Sequence, residues 1–411
     1  MEIYRTVGEF EKQESVMIIW PLSAYATSKL NNDIVSVQIV QALIEEVKVI
    51  ICCFDTDVQN RAQKVLTNEG IDTNLIKFVI FPSSIVYPRD FGAEIMISNK
   101  GNRARVDFRF DIYGYYSEED ELSKLLYGFS KFHAESVGIK NTRYCNLISE
   151  GGDHEFNGDG IMMAIKETEV DKRNSNKTVA EVEKELKEVF NLDQIIWLPQ
   201  CSYDDEYSYC GPIPSYDNTT FNSFRSASAN GHIDEICRFV SQDTILMAYV
   251  SDEEALNSKL HALNKERLDK GFEAVKAAKN SDGKPFKIIK MPVPEPIYVD
   301  LYPKDDAYNH WSEAKEEMNG MLLNGTPFPN DPINVLPALS YCNFLIANNI
   351  VIAQKYYEEG MSELIKEKDE EALNVLKTAF PNHRIVQINT LALNLYGGGV
   401  HCHTRNIPVA P

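Results

Sequence analysis

Cys402 stands between His401 and His403, just after the run Gly397-Gly398-Gly399-Val400. Consecutive glycines permit φ > 0 and let the backbone come close to a bound group, so a cysteine following them is a candidate nucleophile. Glycine-rich loops are more often plain turns than catalytic devices, so the weight falls on what accompanies this one. Three distant stretches carry acids or a histidine on turns: Tyr87-Pro88-Arg89-Asp90-Phe91-Gly92-Ala93-Glu94, Glu150-Gly151-Gly152-Asp153 and Asn230-Gly231-His232-Ile233-Asp234-Glu235. Taken singly, each fits a salt-bridged turn or a structural histidine. On an extended strand His232 and Asp234 would share a face. Taken together, a thiol, an imidazole and the carboxylates of Asp90, Glu150 and Asp234 suit attack on a planar cationic carbon. Two carboxylates grip a guanidinium through charge-assisted hydrogen bonds, a thiolate attacks its central carbon, and the imidazole protonates the leaving amine and then activates water. Zinc fits less well, because the ligands would come from four distant segments with no short ligand pair.

The elements that must hold these groups alternate along the chain. Apolar runs read as strands at Val16 to Pro21, Val47 to Phe54, Ile76 to Phe81, Gly160 to Ile165, Ile195 to Leu198, Thr244 to Val250 and Phe344 to Ala353. Helical spacing fills the gaps, over Asn32 to Glu46, Asp57 to Asn68, Glu118 to Val137, Val179 to Phe190, Asp252 to Ala277 and Met361 to Ala379. Ser202 to Ser228 and Asp300 to Pro332 are rich in turn formers and read as long loops or insertions, the kind of segment that often serves as a lid. No linker divides the chain, so residues 1–411 read as a single domain of repeated strand and helix modules.

Composition narrows the partners. The 411 residues are 44% hydrophobic and 25% charged with a net charge of −20, a globular balance that repels nucleic-acid phosphates and anionic membrane surfaces and favours small cations. The start of the chain has no apolar signal core, and no run is long enough to span a membrane, so a cytoplasmic location is expected. Eight cysteines without a CxxC pair read mostly as buried, reduced thiols.

With these motifs in view, the chain resembles the agmatine deiminase family, within the guanidine-modifying superfamily that also holds bacterial peptidylarginine deiminases and arginine deiminases. The family pattern Trp-x-Arg-Asp-x-Gly-Pro resembles Tyr87 to Ala93, Glu-Gly-Gly matches Glu150 to Gly152, Gly-His-Val-Asp resembles Gly231 to Asp234, and Gly-Gly-Gly-x-His-Cys-x-Thr matches Gly397 to Thr404. Val106 to Phe110 and Tyr341 to Phe344 are similar as well, so the likeness runs over nearly the whole chain. It implies an α/β propeller (pentein) of five modules with pseudo-fivefold symmetry around a central site, acting as a homodimer. It also implies Cys402 as nucleophile, His232 as general acid and base, Asp90 and Asp234 as guanidinium clamps, and Glu150 as the carboxylate that orients His232. No metal or organic cofactor is implied. The expected reaction converts agmatine to N-carbamoylputrescine and ammonia through a thiouronium on the cysteine; the alternatives are peptidyl-arginine or free arginine as substrate, or a non-catalytic guanidine or polyamine binder. Arg225 and Arg405 are the candidate partners for an arginine carboxylate, and Asp204, Asp205, Glu206 and Asp217 for a distal cation. Tyr87, Ala93 and Asp153-His154-Glu155 depart from the family pattern, and they are expected where the substrate's far end would lie.

Overall fold

One unit of three strands and a helix is used repeatedly: an antiparallel hairpin, then a helix, then a strand parallel to the second hairpin strand. Glu94–Ser98, Arg103–Arg109, helix Glu121–Ser136 and Asn141–Ile148 make one such unit, in a computed structural model that describes residues 1–410. Glu155–Phe156, Ile161–Ile165, Val179–Phe190 and Gln194–Leu198 make the next. The pattern recurs with Cys237–Ser241, Thr244–Tyr249, Lys259–Ala277 and Lys287–Pro292. It recurs again with Leu345–Ala347, Ile350–Lys355, Glu363–Ala379 and Arg384–Asn389. The two ends of the chain build a fifth. Thr404–Pro408 lies antiparallel to Gln13–Ile19, helix Asn32–Leu43 follows, and Lys48–Cys53 runs parallel beside it. Long-range closure of this kind places the cysteine loop, immediately before Thr404, against the start of the chain.

The helices form where the sequence offers one apolar stripe and good ends. Val179–Phe190 buries Val182, Leu186, Val189 and Phe190, opens on a Thr178/Glu181 capping box and closes on Asn191 at φ 56. Each such buried side chain contributes roughly 1.5–3 kcal/mol of burial energy. Covered on both faces, the central strands read as continuous apolar runs; Gln13–Ile19 has six of its seven residues buried.

Three expectations are corrected. Asp252 to Ala277 is two helices, because Ser258 is extended and caps the second with its hydroxyl on the His261 N–H. Phe344 to Ala353 is a hairpin that turns at Asn348, φ 56, where the asparagine amide also bonds the Gln13 backbone. The two long segments are not structureless: Ile213–Pro214 and Phe221–Arg225 join Val299–Leu301 and Ile333–Leu336 in a four-stranded sheet. Beside it, helix Asn309–Glu317 sets Trp311, 1% exposed, among Tyr209, Phe224 and Phe328 at ring separations of 5.2, 5.6 and 5.9 Å. Among the described residues no helix is long and apolar enough to cross a membrane.

Candidate active site

Cys402 ends a turn that only small residues can make. A Cβ on Gly398 would lie 2.8 Å from the Cys402 Cβ and 3.0 Å from its Sγ, so the glycine leaves the space the thiol occupies. Asn343 anchors the loop: its Oδ1 accepts the N–H groups of His401 at 2.9 Å and Cys402 at 3.3 Å, which turns its Nδ2 toward the Cys402 Sγ at 3.1 Å and Glu235 at 2.9 Å. Burial, then the charges of Asp234, Glu235 and Asp90, hold the thiol well above its ordinary pKa.

Around the thiol stand the three acidic motifs. Pro88–Phe91 is a single helical turn started by its proline, and Arg89 fastens it to the cysteine loop through the His401 carbonyl at 3.1 Å and Asn406 at 2.8 Å. Asp90 accepts the Gly152 N–H at 3.0 Å and the Tyr113 hydroxyl at 2.8 Å, and its Oδ1 is 3.5 Å from the His232 Nδ1. A Cβ on Gly152 would meet Asp90 and His232 at 2.5 Å each, so this glycine too is there for space. Tyr113 is reached through two successive left-handed residues, Ile112 at φ 51 and Tyr113 at φ 62. For a β-branched residue that conformation is strained by roughly 1–2 kcal/mol, and such strain gathers at functional sites.

His232 and Asp234 do not share a strand face, because Ile233–Glu235 is a 3₁₀ turn. That turn is pinned by Asp153, whose carboxylate accepts the Ile233 N–H at 2.9 Å, and by Asp205, which accepts the His232 N–H at 3.0 Å. It sends His232 toward Glu150, Nε2 to Oε2 3.4 Å, and Asp234 toward Cys402, Oδ2 to Sγ 3.5 Å. Burial opposes charge on His232, yet Asp90, Glu150 and Asp234 outweigh it and raise its pKa to about 9. Glu150 has burial against it as well, but the Arg173 guanidinium at 2.6 Å and His232 bring it down to about 2. Asp90 is pushed up to about 6, chiefly by burial. The Asp234 Oδ1 is buried without a hydrogen-bond partner. Asp234, Glu235 and Cys402 bring their ligand atoms within 4.8 Å of one another, a donor set that suits a cation.

A cavity of about 510 Å³ opens above Asp90 and Cys402. Tyr87, Tyr113, Tyr115 and Tyr209 are among its walls, with Tyr116 and Tyr396. The residues lining it that are charged at neutral pH are all acids, Asp90, Asp306 and Glu313; burial lowers His310 to about 4, which leaves it neutral. This corrects the assignment of the far end. Arg225 is buried on Glu206 and the Tyr203 carbonyl, and Arg405 on Glu94 and the Ala93 carbonyl. Asp204 bonds Asn264, Asp217 closes the turn before Thr220, Asp205 serves the His232 backbone, and Glu206 pairs with Arg225 and Arg267. None of these lines the cavity. Besides Asp90, the acids that do, Asp306 and Glu313, come from the second long segment. Of the departures from the family pattern, Tyr87 lines the cavity; Asp153, His154 and Glu155 lie behind it, where His154 bonds Glu94 and Ser149 and Glu155 bonds Arg238. Asn343, Glu235, Tyr113 and Arg173 belong to the site and were not singled out by sequence. The Tyr341 to Phe344 likeness and the position of Glu235 beside Asp234 were the available signals.

A model of the family described as Porphyromonas-type peptidyl-arginine deiminase matches residues 5–209 and 221–408; the internal gap between the two matches falls in the Ser202 to Ser228 segment. An agmatine deiminase of Pseudomonas aeruginosa (strain LESB58) is 23% identical over 416 residues, spanning 98% of this chain and 95% of its own. An agmatine deiminase of Medicago truncatula is 23% identical over 413 residues, with 98% and 95% spanned. The solved agmatine deiminase of Enterococcus faecalis superimposes with a TM-score of 0.75 at 20% identity, over 99% of this chain and 96% of that one. A substrate-bound agmatine deiminase of C. jejuni does so with a TM-score of 0.68 at 21% identity, over 99% and 97%.

Proposed function

Because the chain belongs to the Porphyromonas-type peptidyl-arginine deiminase family, we propose that it hydrolyses a small cationic guanidine, agmatine, to N-carbamoylputrescine and ammonia. The observation that carries this is the Asp234 Oδ1, buried and unpartnered beside a thiol at the floor of an aromatic, acid-lined cavity. A guanidinium satisfies that oxygen, and Asp90 takes its other edge.

The substrate cation also offsets the negative charge that keeps Cys402 protonated, so its arrival promotes loss of the thiol proton to solvent and leaves a thiolate beside a still-protonated His232. Sγ attacks the guanidinium carbon and forms a C–S bond. His232, charged at neutral pH, gives its proton to one amino nitrogen, the C–N bond breaks and ammonia leaves. The resulting thiouronium is attacked by water, which yields one proton to His232; the C–S bond then breaks, the remaining hydroxyl proton leaves to solvent, where it is balanced by protonation of the released ammonia, and the thiolate is restored. Glu150, locked by Arg173, holds the imidazole through both proton transfers. A pure binding protein would need the carboxylates but not the thiol.

Agmatine is favoured over arginine because Asp306 and Glu313 offer a second cation a partner and would repel a carboxylate. The same family membership leads us to infer that the repeated units close around a pseudo-fivefold axis as one domain over residues 1–411, and that the protein is a cytoplasmic homodimer, which light scattering reports. Parallel ureido-product colour assays on agmatine, arginine and a blocked arginine peptide test the substrate. We expect kcat/KM for agmatine to exceed that for arginine by at least ~10²-fold; a preference for either arginine compound overturns agmatine and leaves the deiminase chemistry standing. Cys402→Ala should bind agmatine in calorimetry and release no ammonia, and turnover by that variant would overturn the covalent route.

A further inference from the structure

His401 was noticed in the sequence only as a neighbour of the cysteine, and no step above uses it. It is 2% exposed. Its Nδ1 lies 2.6 Å from the Asp234 Oδ2, and its Nε2 lies 2.8 Å from the Glu9 Oε2. Carboxylates only accept hydrogen bonds. A neutral ring has one N–H and one lone pair, so either tautomer would set a lone pair against a carboxylate oxygen at one of these two short distances. The geometry therefore calls for a proton on both nitrogens.

Glu9 comes from the opposite end of the chain and is itself held in place. Arg89 and Arg238 reach its two oxygens at 3.0 Å each, and the Ile346 N–H donates to it at 2.7 Å. It borders a separate crevice of about 60 Å³ that shares no lining residue with the substrate cavity. His401 lines that crevice too and stands between Glu9 and Asp234. The charged and titratable groups facing the pair are Arg89 and Arg238 on the Glu9 side, Asp234 and Cys402 on the other, Glu155 behind Arg238, and Glu235 next in chain to Asp234. Both carboxylates are held below their ordinary range, with burial as the opposing effect and His401 first among the groups that overcome it.

We propose that His401 is a positioning residue for the guanidinium clamp: an imidazolium wedged between Asp234 and Glu9 that keeps Asp234 charged and its free Oδ1 turned to the substrate. Glu9, which touches neither thiol nor substrate cavity, thereby sets how tightly the guanidinium is held. The inference rests on the assignment of Asp234 as a clamp. Because Asp234 grips the same cation before and during reaction, weakening it raises KM more than it lowers kcat.

Two measurements test this on the full-length protein. In substrate-free protein with 15N-labelled histidine at neutral pH, the His401 ring, identified by its loss in His401→Asn, should show both nitrogens protonated, as its two carboxylate contacts require. These shifts are read without substrate, so they stand apart from whether agmatine is the right one. A neutral His401 ring in that sample overturns the inference, even in an active enzyme. Glu9→Gln should raise KM for agmatine about 10-fold with kcat within about threefold, the size of one lost charge-assisted contact, and Glu9→Asp should recover most of the loss. Should Glu9→Gln fail to fold, His401→Asn, which keeps a donor for Asp234 and removes the charge, should show the same split. Loss of kcat with unchanged KM in the folded variant marks a structural role alone and overturns the proposal.

Discussion

Asp90 and Asp234 push both of the proposed reacting groups toward their protonated forms, which restrains the thiol and arms the imidazole as an acid. They hold the Cys402 thiol protonated and the His232 imidazole charged, the latter up to about 9. Asp90, raised to about 6 mainly by burial, is ionised above that pH and loses its grip below it. For the free enzyme kcat/KM should therefore fall as pH drops through about 6, where the clamp is protonated, and fall again above about 9, where His232 has no proton to give. The Tyr113 hydroxyl favours the ionised form of Asp90. Tyr113→Phe should move the acid limb of the profile to higher pH while leaving the alkaline limb in place. An acid limb that stays put or moves down would show that Asp90 does not set it.

At the scale of the turn, the site depends on what glycine leaves empty. Gly398→Ala would put a methyl 3.0 Å from the Cys402 Sγ and the same distance from the Tyr87 ring. Neither neighbour can retreat easily, since Asn343 holds the cysteine loop and the Tyr87 hydroxyl bonds the Leu393 carbonyl at 2.8 Å. A thiol displaced by a fraction of an ångström to one ångström costs about 10²-fold in rate. We expect kcat/KM for Gly398→Ala to fall by about that factor, with a melting temperature only a few degrees lower, as read by ammonia release and calorimetry on one preparation. Full activity would show that the loop adjusts and that the glycine is not there for the thiol.

Across the whole molecule the net charge of −20 adds a field to the local contacts. A cation approaching the cavity is attracted by Asp306 and Glu313 on its wall, and that attraction is screened over about 10 Å at 0.1 M salt. Raising salt from about 0.02 to about 0.3 M should lower kcat/KM for agmatine severalfold, through KM. Asp306→Asn with Glu313→Gln should flatten that dependence and narrow the preference for agmatine over arginine. If the double variant keeps both, the far cation is recognised elsewhere. Glu313 is exposed and Asp306 half-buried, and neither contacts the thiol or His232, so the chemistry itself should survive.

Chemistry and periodicity were legible in the chain because both are local. Cys402 after three glycines, the acid and histidine turns, and the apolar stripe of Val179–Phe190 depend on residues a few positions apart, and physical chemistry at that range needs no fold. The break at Ser258 and the turn at Asn348 were missed because one polar side chain outweighed an apolar pattern spread over ten or more residues. Other features are set by contacts between distant parts of the chain. Glu9 meets His401 only because Gln13–Ile19 and Thr404–Pro408 pair, and Asp306 and Glu313 face the cavity only because the segments around residues 220 and 330 share a sheet. Asp204, Asp205, Glu206 and Asp217 had the better claim in sequence, yet backbone and side-chain partners inside the fold occupy them. Composition thus determined that the protein would present acids to a cation, and tertiary packing decided which acids, because the fold carries Asp306 and Glu313 to the cavity wall and turns the other carboxylates to donors elsewhere.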